Sequence, residues 1–507
     1  MEKHTILSLL LILLFASVTK NSVAQTTNKR SSDFEATFPV IDKICKEYAK
    51  KNNFPGFAFG LVVDGKLVHT ASLGYTNLDN KTAVTTQSDF RIASMTKSFT
   101  AMAILKLRDE GKLKLDDPVY VYIPSMKEQS NLTSDAPAIT IRNLLTHAAG
   151  FPEDNPWGDR QLAITDEAMI NMIKKGISFS NAPGITYEYS NMGFAMLGYI
   201  IKKVSGQTYE KYITANILIP LGMTHTYWDY KAVPEGLLAH GYRWLNDQWV
   251  EQPLLGDGAY GAMGGIITTM DDFSKYVAFH LAAWPPRNDA ETGVVKRSSL
   301  REMHHLWNLN QLVANYKYPS GRVCPVLFGY GYGLNYTRDC ENKIIVGHSG
   351  GLPGFGSNWR ILPDYGIGVI SFSNLTYASA STFNMQVIDT LITLAKLKPT
   401  PLPASGILEQ RKNELIKLLP GWNKAAATGI FAENFFMDYF PDALCKEATS
   451  IFANAGKIIK VNDFIATNNL RGYFLMKGEK ANIEINFTLT PENPPLIQEY
   501  HIKLVEK

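Results

Sequence analysis

The spacing of apolar and polar positions divides the chain into segments with different periods. Residues 56–74 hold two β-rich runs, FAFGLVV and KLVHTASLGY, joined across Asp64-Gly65. A two-residue turn of that kind between such runs predicts a hairpin. Over residues 94–111 the period lengthens, with Met95, Phe99, Met102, Ala103, Leu105 and Leu107 marking a mostly apolar helix. Helices mixed with Gly- and Pro-containing loops are expected to about Leu281, with strands returning after Ile344. Residues 358–362 and 367–373 flank the turn Pro363-Asp364-Tyr365-Gly366, and a helix is expected over 382–396. Strands at both ends of one block, with helices between, predict an antiparallel sheet built from both termini and an inserted helical region.

Residues 398–406 are Pro-rich and predict an interdomain linker. Helical stretches follow over 408–419 and 427–455, the second interrupted at Pro441. Strand-like runs at 470–476, 481–489 and 497–505 come last. In the middle run Ile483, Ile485, Phe487 and Leu489 alternate with Asn482, Glu484, Asn486 and Thr488, as a half-solvated antiparallel strand requires. The expected organisation is therefore a leader over 1–24, a main domain over 25–397, the linker 398–406, and a small α+β domain over 407–507.

The leader reading rests on Lys3 and His4, an apolar run over 6–18, and the small-x-small site Ser22-Val23-Ala24. The run is too short to span a bilayer comfortably. A cleaved secretory peptide is expected, with an exported, periplasmic or secreted product and no stable membrane span afterwards. Apolar residues make up 45% and charged residues 19%, an ordinary globular balance. Fifty Lys and Arg against 47 Asp and Glu leave a formal charge of +3, which argues against nucleic acid as a partner. Four Cys exclude a disulfide scaffold, and no metal-ligand spacing is present. Cys324 and Cys340 flank a short segment that a bridge would close as a hairpin; buried free thiols fit the sequence equally well.

Three motifs carry candidate chemistry. In Ser94-Met95-Thr96-Lys97 the i and i+3 positions share a helix face, which puts an amine beside a hydroxyl. A lysine held among apolar side chains loses affinity for its proton and can act as a base toward that hydroxyl. In Tyr189-Ser190-Asn191 the phenol can pass a proton to a leaving group, while Asn191 can bond substrate or Lys97. In Gly347-His348-Ser349-Gly350-Gly351 the glycines admit close approach of a substrate to a strand. The Gly351 and Ser94 N–H groups can together form an oxyanion hole. The same five residues match G-x-S-x-G, but that elbow needs a helix directly after the serine. Here Leu352-Pro353-Gly354-Phe355-Gly356 and a strand follow, so the elbow is rejected. His147 reads as a loop support, and His304-His305 as surface.

Taken together, RIASMTKSFTA, YEYSNMGFAMLGYII and GHSGGLPGF resemble the serine β-lactamase and penicillin-binding-protein superfamily. The likeness is to the class C-like branch that also holds D-stereospecific peptidases and esterases. LLTHAAGFP and GGIITTMDDFSKY look like stretches common in that branch, and the resemblance covers residues 38–396. It implies an α+β β-lactamase/transpeptidase-like fold with an antiparallel sheet flanked by helices. It also implies an acyl-enzyme cycle with Ser94 as nucleophile, Lys97 and Tyr189 handling the proton, His348 as a further catalytic candidate, and Asn191, Ser349, Gly350 and Gly351 binding substrate or the oxyanion. No metal or organic cofactor is expected. The expected partner is a small-molecule or short-peptide substrate, cell-wall-derived ones included. Many relatives carry Lys where this chain has His348, and a mostly neutral imidazole is a poor receptor for a substrate carboxylate. That tilts the reading toward an esterase, amidase or D-amino-acid peptidase; a penicillin-binding sensor that acylates without turnover is the alternative. The small C-terminal domain loosely resembles cystatin- or NTF2-like modules.

Overall fold

A computed structural model describes residues 34–129 and 132–506, so the leader reading falls outside the described residues. The chain forms two compact units that divide between Pro399 and Thr400.

The first unit is organised by a nine-stranded antiparallel sheet. Strands β1 (Gly56–Val63) and β2 (Lys66–Asn77) are the expected hairpin. Asp64 and Gly65 both have positive φ, +48° and +78°, the conformation a twisted two-residue hairpin turn needs. β1 then pairs with β8 (Ile367–Ser373), the last strand of the unit, so both ends of the chain segment meet in mid-sheet. From β8 the sheet continues through β7 (Phe355–Leu362), β6 (Ile344–Leu352), β5 (Asn335–Asp339), β4 (Val323–Tyr330) and β3 (Asn308–Lys317). The first of these returning strands starts well before Ile344, earlier than the sequence led us to expect. β3, NLNQLVANYK, is mostly exposed and lacks alternation, which is why its pattern does not announce a strand.

β1 is buried along its whole length because both sheet faces are covered. Phe57, Phe59, Leu61 and Val63 pack with Ile41 and Cys45 of helix α1 (Phe38–Lys51) and with Phe383, Val387 and Leu391 of helix α5 (Ala380–Leu394). Ala58 and Val62 face the other way, toward the large core that contains helix α2 (Thr96–Asp109). That helix is buried on nearly every side, and helices α3 (Asn191–Ser205) and α4 (Met270–Leu281) join the same core. His304 belongs to this interior and not to the surface: Trp284 Nε1 donates to its Nδ1 at 3.0 Å, and its Nε2 stands 2.8 Å from His280 Nδ1. His305 is exposed, as expected.

The second unit opens with helix α6 (Gly406–Ile416), capped by the Ser405 hydroxyl. Leu402 bridges to Ala466 and packs in this unit's core, so the second half of the Pro-rich segment belongs to the domain it precedes. Pro441 starts helix α7 (Pro441–Ala455), where its missing N–H costs nothing, and does not interrupt a longer helix. The sheet has five strands: the three expected runs plus the short pieces Ile458–Val461 and Ile465–Asn468. In Asn482–Leu489 the Ile483, Ile485 and Phe487 side chains are buried, matching the alternation.

Cys324 and Cys340 are bridged across the open end of the β4–β5 hairpin, while Cys45 and Cys445 are free thiols. Closing a loop of about this length removes unfolded-chain entropy worth about 3 kcal/mol. Replacing both residues by Ser is expected to lower the melting temperature of the first unit by a few degrees, read by differential scanning calorimetry under non-reducing conditions. An unchanged melting temperature contradicts the bridge's contribution.

Candidate active site

Ser94 does not sit in the α-helix. It occupies a single 3-10 turn, Ala93–Met95, that runs into α2 at Thr96. Ala93 has φ +50°, an uncommon conformation for a residue with a Cβ, and strain of this kind persists only where surrounding structure enforces it. The enforcement is visible. Ser357 on β7 donates its hydroxyl to the Ile92 carbonyl at 2.8 Å, and the Ile266 N–H donates to Thr96 Oγ1 at 3.2 Å. The turn is pressed against β6, where a Cβ on Gly350 would collide with the Ile92 carbonyl oxygen and with Ser357 Oγ. Sheet pairing of β5 with β6 ends at Asn335–Gly347. Beyond that point the edge of β6 that carries Gly350 and Gly351 lies against the Ser94 turn.

Lys97, one turn into the helix, is fully buried. Its Nζ donates to Ser94 Oγ at 2.9 Å, to Asn191 Oδ1 at 2.7 Å and to the Met263 carbonyl at 3.1 Å. Among the described residues no carboxylate is in contact with the ammonium. Burial therefore dominates and pushes its pKa from 10.5 down to about 7, with the more distant Asp159 and Asp154 carboxylates opposing the drop. Nζ also lies 4.8 Å from the centre of the Tyr189 ring. The Tyr189 hydroxyl shares a hydrogen bond with Ser94, and burial holds the phenol well above its ordinary pKa, so it carries its proton at neutral pH.

Asn191 is placed differently from the expectation that it contacts substrate. It is fully buried, with its carbonyl oxygen taken by Lys97 and its amide donating to Asn155 Oδ1 at 2.7 Å. Beneath the cleft floor, it holds the lysine. Two groups fix this segment, of which the sequence signals only His147. Asp154 accepts the Asn191 and Met192 N–H groups at 2.7 and 2.8 Å, capping α3 from outside the helix. His147 Nδ1 accepts the Ser190 N–H at 3.1 Å, and its ring packs 4.3 Å from that of Tyr189. His147 thus supports the tyrosine loop, as expected, with its own backbone at φ +54°.

His348 is unsuited to proton transfer. Its Nδ1 lies 2.5 Å from the Ser349 carbonyl, which can only accept, so that nitrogen carries the proton. Nε2 then accepts the hydroxyl of the fully buried Tyr330 at 2.7 Å. Burial, with the Lys97 charge adding to it, pushes the imidazole pKa down to about 3. The ring is a locked neutral wall, which removes His348 from the catalytic candidates. Ser349 Oγ accepts Asn358 Nδ2 at 3.0 Å, and Asn384 of α5 in turn donates to Asn358 Oδ1 at 2.8 Å.

Ser94, Tyr189, His348, Ser349, Gly350 and Gly351 together line one open cleft of about 660 Å³, joined by Asp159 and Tyr377, among others. Neither Lys97 nor Asn191 reaches its surface. Among the described residues no His, Cys, Asp and Glu cluster could hold a metal ion. A hydroxyl, a buried amine in hydrogen-bond contact, a protonated phenol and a strand edge are the groups that acyl transfer calls for. Gly350→Ala is expected to push the Ser94 turn off β6 and slow fluorophosphonate labelling of Ser94 by about 100-fold, the cost of losing one oxyanion donor. Wild-type labelling in that variant contradicts the packing argument.

Comparison with known proteins agrees with this geometry. The family described as Beta-lactamase matches residues 41–390. The chain is 31% identical to Protein flp of Staphylococcus aureus over 344 residues, which cover 66% of this chain and 62% of that protein. It is 27% identical to Beta-lactamase-like protein 2 of Dictyostelium discoideum over 373 residues, 72% of this chain and 64% of the other. It thus spans less than two thirds of the length of these relatives. Among solved structures, the octameric penicillin-binding protein homologue from Pyrococcus abyssi superposes with a TM-score of 0.59 at 22% identity, covering 92% of this chain and 96% of that one. The penicillin binding protein from Bacillus halodurans gives 0.53 at 23% identity, over 68% and 98%. At such identities the structural likeness concerns the fold alone, whereas the family match spans most of the chain and includes Ser94, Lys97, Tyr189 and His348. The chain belongs to the beta-lactamase family.

Proposed function

We propose that this protein is an exported serine hydrolase that cleaves an ester or amide through an acyl-enzyme on Ser94. The observation that carries the reading is the 2.9 Å contact between Ser94 Oγ and a buried Lys97 whose pKa lies near 7. At neutral pH much of the lysine is an amine with a lone pair, which can take the hydroxyl proton as Oγ bonds to the carbonyl carbon. The oxyanion is received by the Ser94 and Gly351 N–H groups at the β6 edge. Tyr189 gives its phenolic proton to the departing alcohol or amine, and the proton on Lys97, beside the same ring, restores it. Water then releases the acyl group along the reverse path. The neutral, doubly bonded His348 supports a substrate that needs no cation to hold a carboxylate, and so favours an esterase, amidase or D-amino-acid peptidase. The leader at residues 1–24 supports export.

The test is active-site labelling with a fluorophosphonate and a fluorescent penicillin, with the modified serine located by mass spectrometry. Adduct on Ser94 that is lost in Lys97→Ala is expected, with a rate drop of about 100-fold or more. Label on Ser349, or none, contradicts the reading; a penicillin adduct that persists without ester turnover marks a binding protein. Because the active lysine is the deprotonated one, the acylation rate should rise tenfold per pH unit below about 7 and level off above it. A rise continuing toward the ordinary lysine value of 10.5 contradicts the assignment of Lys97 as base.

A further inference from the structure

The edge of β6 is gripped from two sides. Successive residues of a strand face opposite ways, so Gly350 and Gly351 present their bare Cα atoms to different neighbours. Gly350 meets the Ile92 carbonyl beside the Ser94 turn. Gly351 meets Tyr377, whose ring stands 2.7 Å from where a Cβ would be. Both grips carry backbone strain. Ala93, next to Ile92, has φ +50°, and Tyr377 itself has φ +50°. A left-handed backbone is rare for an aromatic residue and persists only where its surroundings impose it.

The surroundings of Tyr377 do so from both ends of the residue. On the backbone side, Asn374 Nδ2 donates to the carbonyls of Tyr75, Thr76 and His240 at 3.1, 3.3 and 2.9 Å. The Thr376 hydroxyl donates to the Tyr242 carbonyl at 2.9 Å and accepts the Gly354 N–H at 2.8 Å. The Tyr377 N–H itself donates to the Phe355 carbonyl at 3.1 Å. At the far end its hydroxyl donates to Asp159 Oδ2 at 2.9 Å. Asp159 is 2% exposed and lies in the 3-10 turn Gly158–Arg160. That turn is packed on Asn191, the residue that holds Lys97: a Cβ on Gly158 would stand 2.8 Å from the Asn191 Cβ. Tyr377 therefore spans from the strand edge to the turn that braces the holder of the base. With its hydroxyl committed to a carboxylate, it has no part in the proton transfers.

We infer that Tyr377 is a positioning residue of the acyl-transfer site: its ring backs Gly351, and its bond to Asp159 fixes the ring, so that the Gly351 N–H stands where the oxyanion forms. The inference rests on the serine hydrolase reading and adds to it what holds the oxyanion donor in place. A donor of this kind acts only within about 3 Å of the developing charge, and a strand edge free to recede from the Ser94 turn forfeits that contact.

The experiment compares para-nitrophenyl acetate with O-para-nitrophenyl thionoacetate on the full chain, each followed by release of para-nitrophenolate. Sulfur is larger than oxygen and a weaker acceptor, so the thiono ester gains little from precisely placed N–H donors, and the ratio of the two kcat/KM values reads the oxyanion site. Tyr377 is 43% exposed, so trimming it opens no core. In Tyr377→Ala the oxo ester should slow by about tenfold or more while the thiono ester changes little, and the ratio should fall in step. Tyr377→Phe keeps the ring and loses the bond, and its ratio should lie between those of Tyr377→Ala and the wild type. A wild-type ratio in both variants overturns the inference. So does equal slowing of both esters, the mark of a substrate contact or of a generally loosened loop. A wild-type protein that labels with fluorophosphonate on Ser94, yet favours the oxo ester no more than hydroxide does, also overturns it and leaves the hydrolase reading standing. Failure of both esters and of the labelling in the wild type removes the hydrolase reading, and the inference with it.

Discussion

A lysine ammonium enclosed without a carboxylate partner is the constraint on which the rest of the site depends. Lys97 Nζ is surrounded by a hydroxyl, an amide oxygen and a backbone carbonyl, all neutral acceptors. A permanent charge in that setting is unfavourable, and the group responds by releasing its proton more readily. The strain of the arrangement is thereby converted into basicity placed against Ser94. An ion pair at Nζ would stabilise the charged form and leave Ser94 without a base.

Much of the surrounding architecture holds that enclosure in register. α2 brings Lys97 under Ser94, α3 brings Asn191, and the short helix Gly261–Gly264 presents the Met263 carbonyl. The sheet supplies the opposite wall. β1 and β8 join the two ends of the domain in mid-sheet, and β6 and β7 fasten the Ser94 turn through the Ser357 hydroxyl and the bare backbone of Gly350. The positive φ of Ala93 is the cost of turning the nucleophile toward that edge. Family membership follows from the same residues, since the match covers the whole of this frame.

The features legible in the sequence are those whose causes are local. Asp64-Gly65 announces its hairpin because both residues tolerate positive φ, and the alternation of Ile483, Ile485 and Phe487 reports a sheet with one buried face. The hairpin Gly241–Leu245 with Gln248–Gln252 turns on Asn246-Asp247, also at positive φ, but without the Gly that would advertise it. Ser94, Lys97 and Tyr189 are recognisable as motifs. Their partners are not: Asp154 caps a helix 37 residues further on, Tyr330 reaches His348 across strands, and Asp159 meets Tyr377 from 218 residues away. Such contacts depend on tertiary packing, which no local period encodes. Which of its two readable partners Asn191 meets, Lys97 and not substrate, is decided in the same way, because burial beneath the cleft is a property of the assembled fold.

The most direct test of the account is the titration of Lys97 itself. With lysine labelled with carbon-13 at Cε, and the Lys97 resonance assigned by its loss in Lys97→Arg, the chemical shift can be followed from acid to alkaline pH. The account predicts a midpoint close to 7 in the unliganded protein. A midpoint near the ordinary value of 10.5 would mean a lysine charged at neutral pH, and would contradict the claim that burial makes it the base for Ser94.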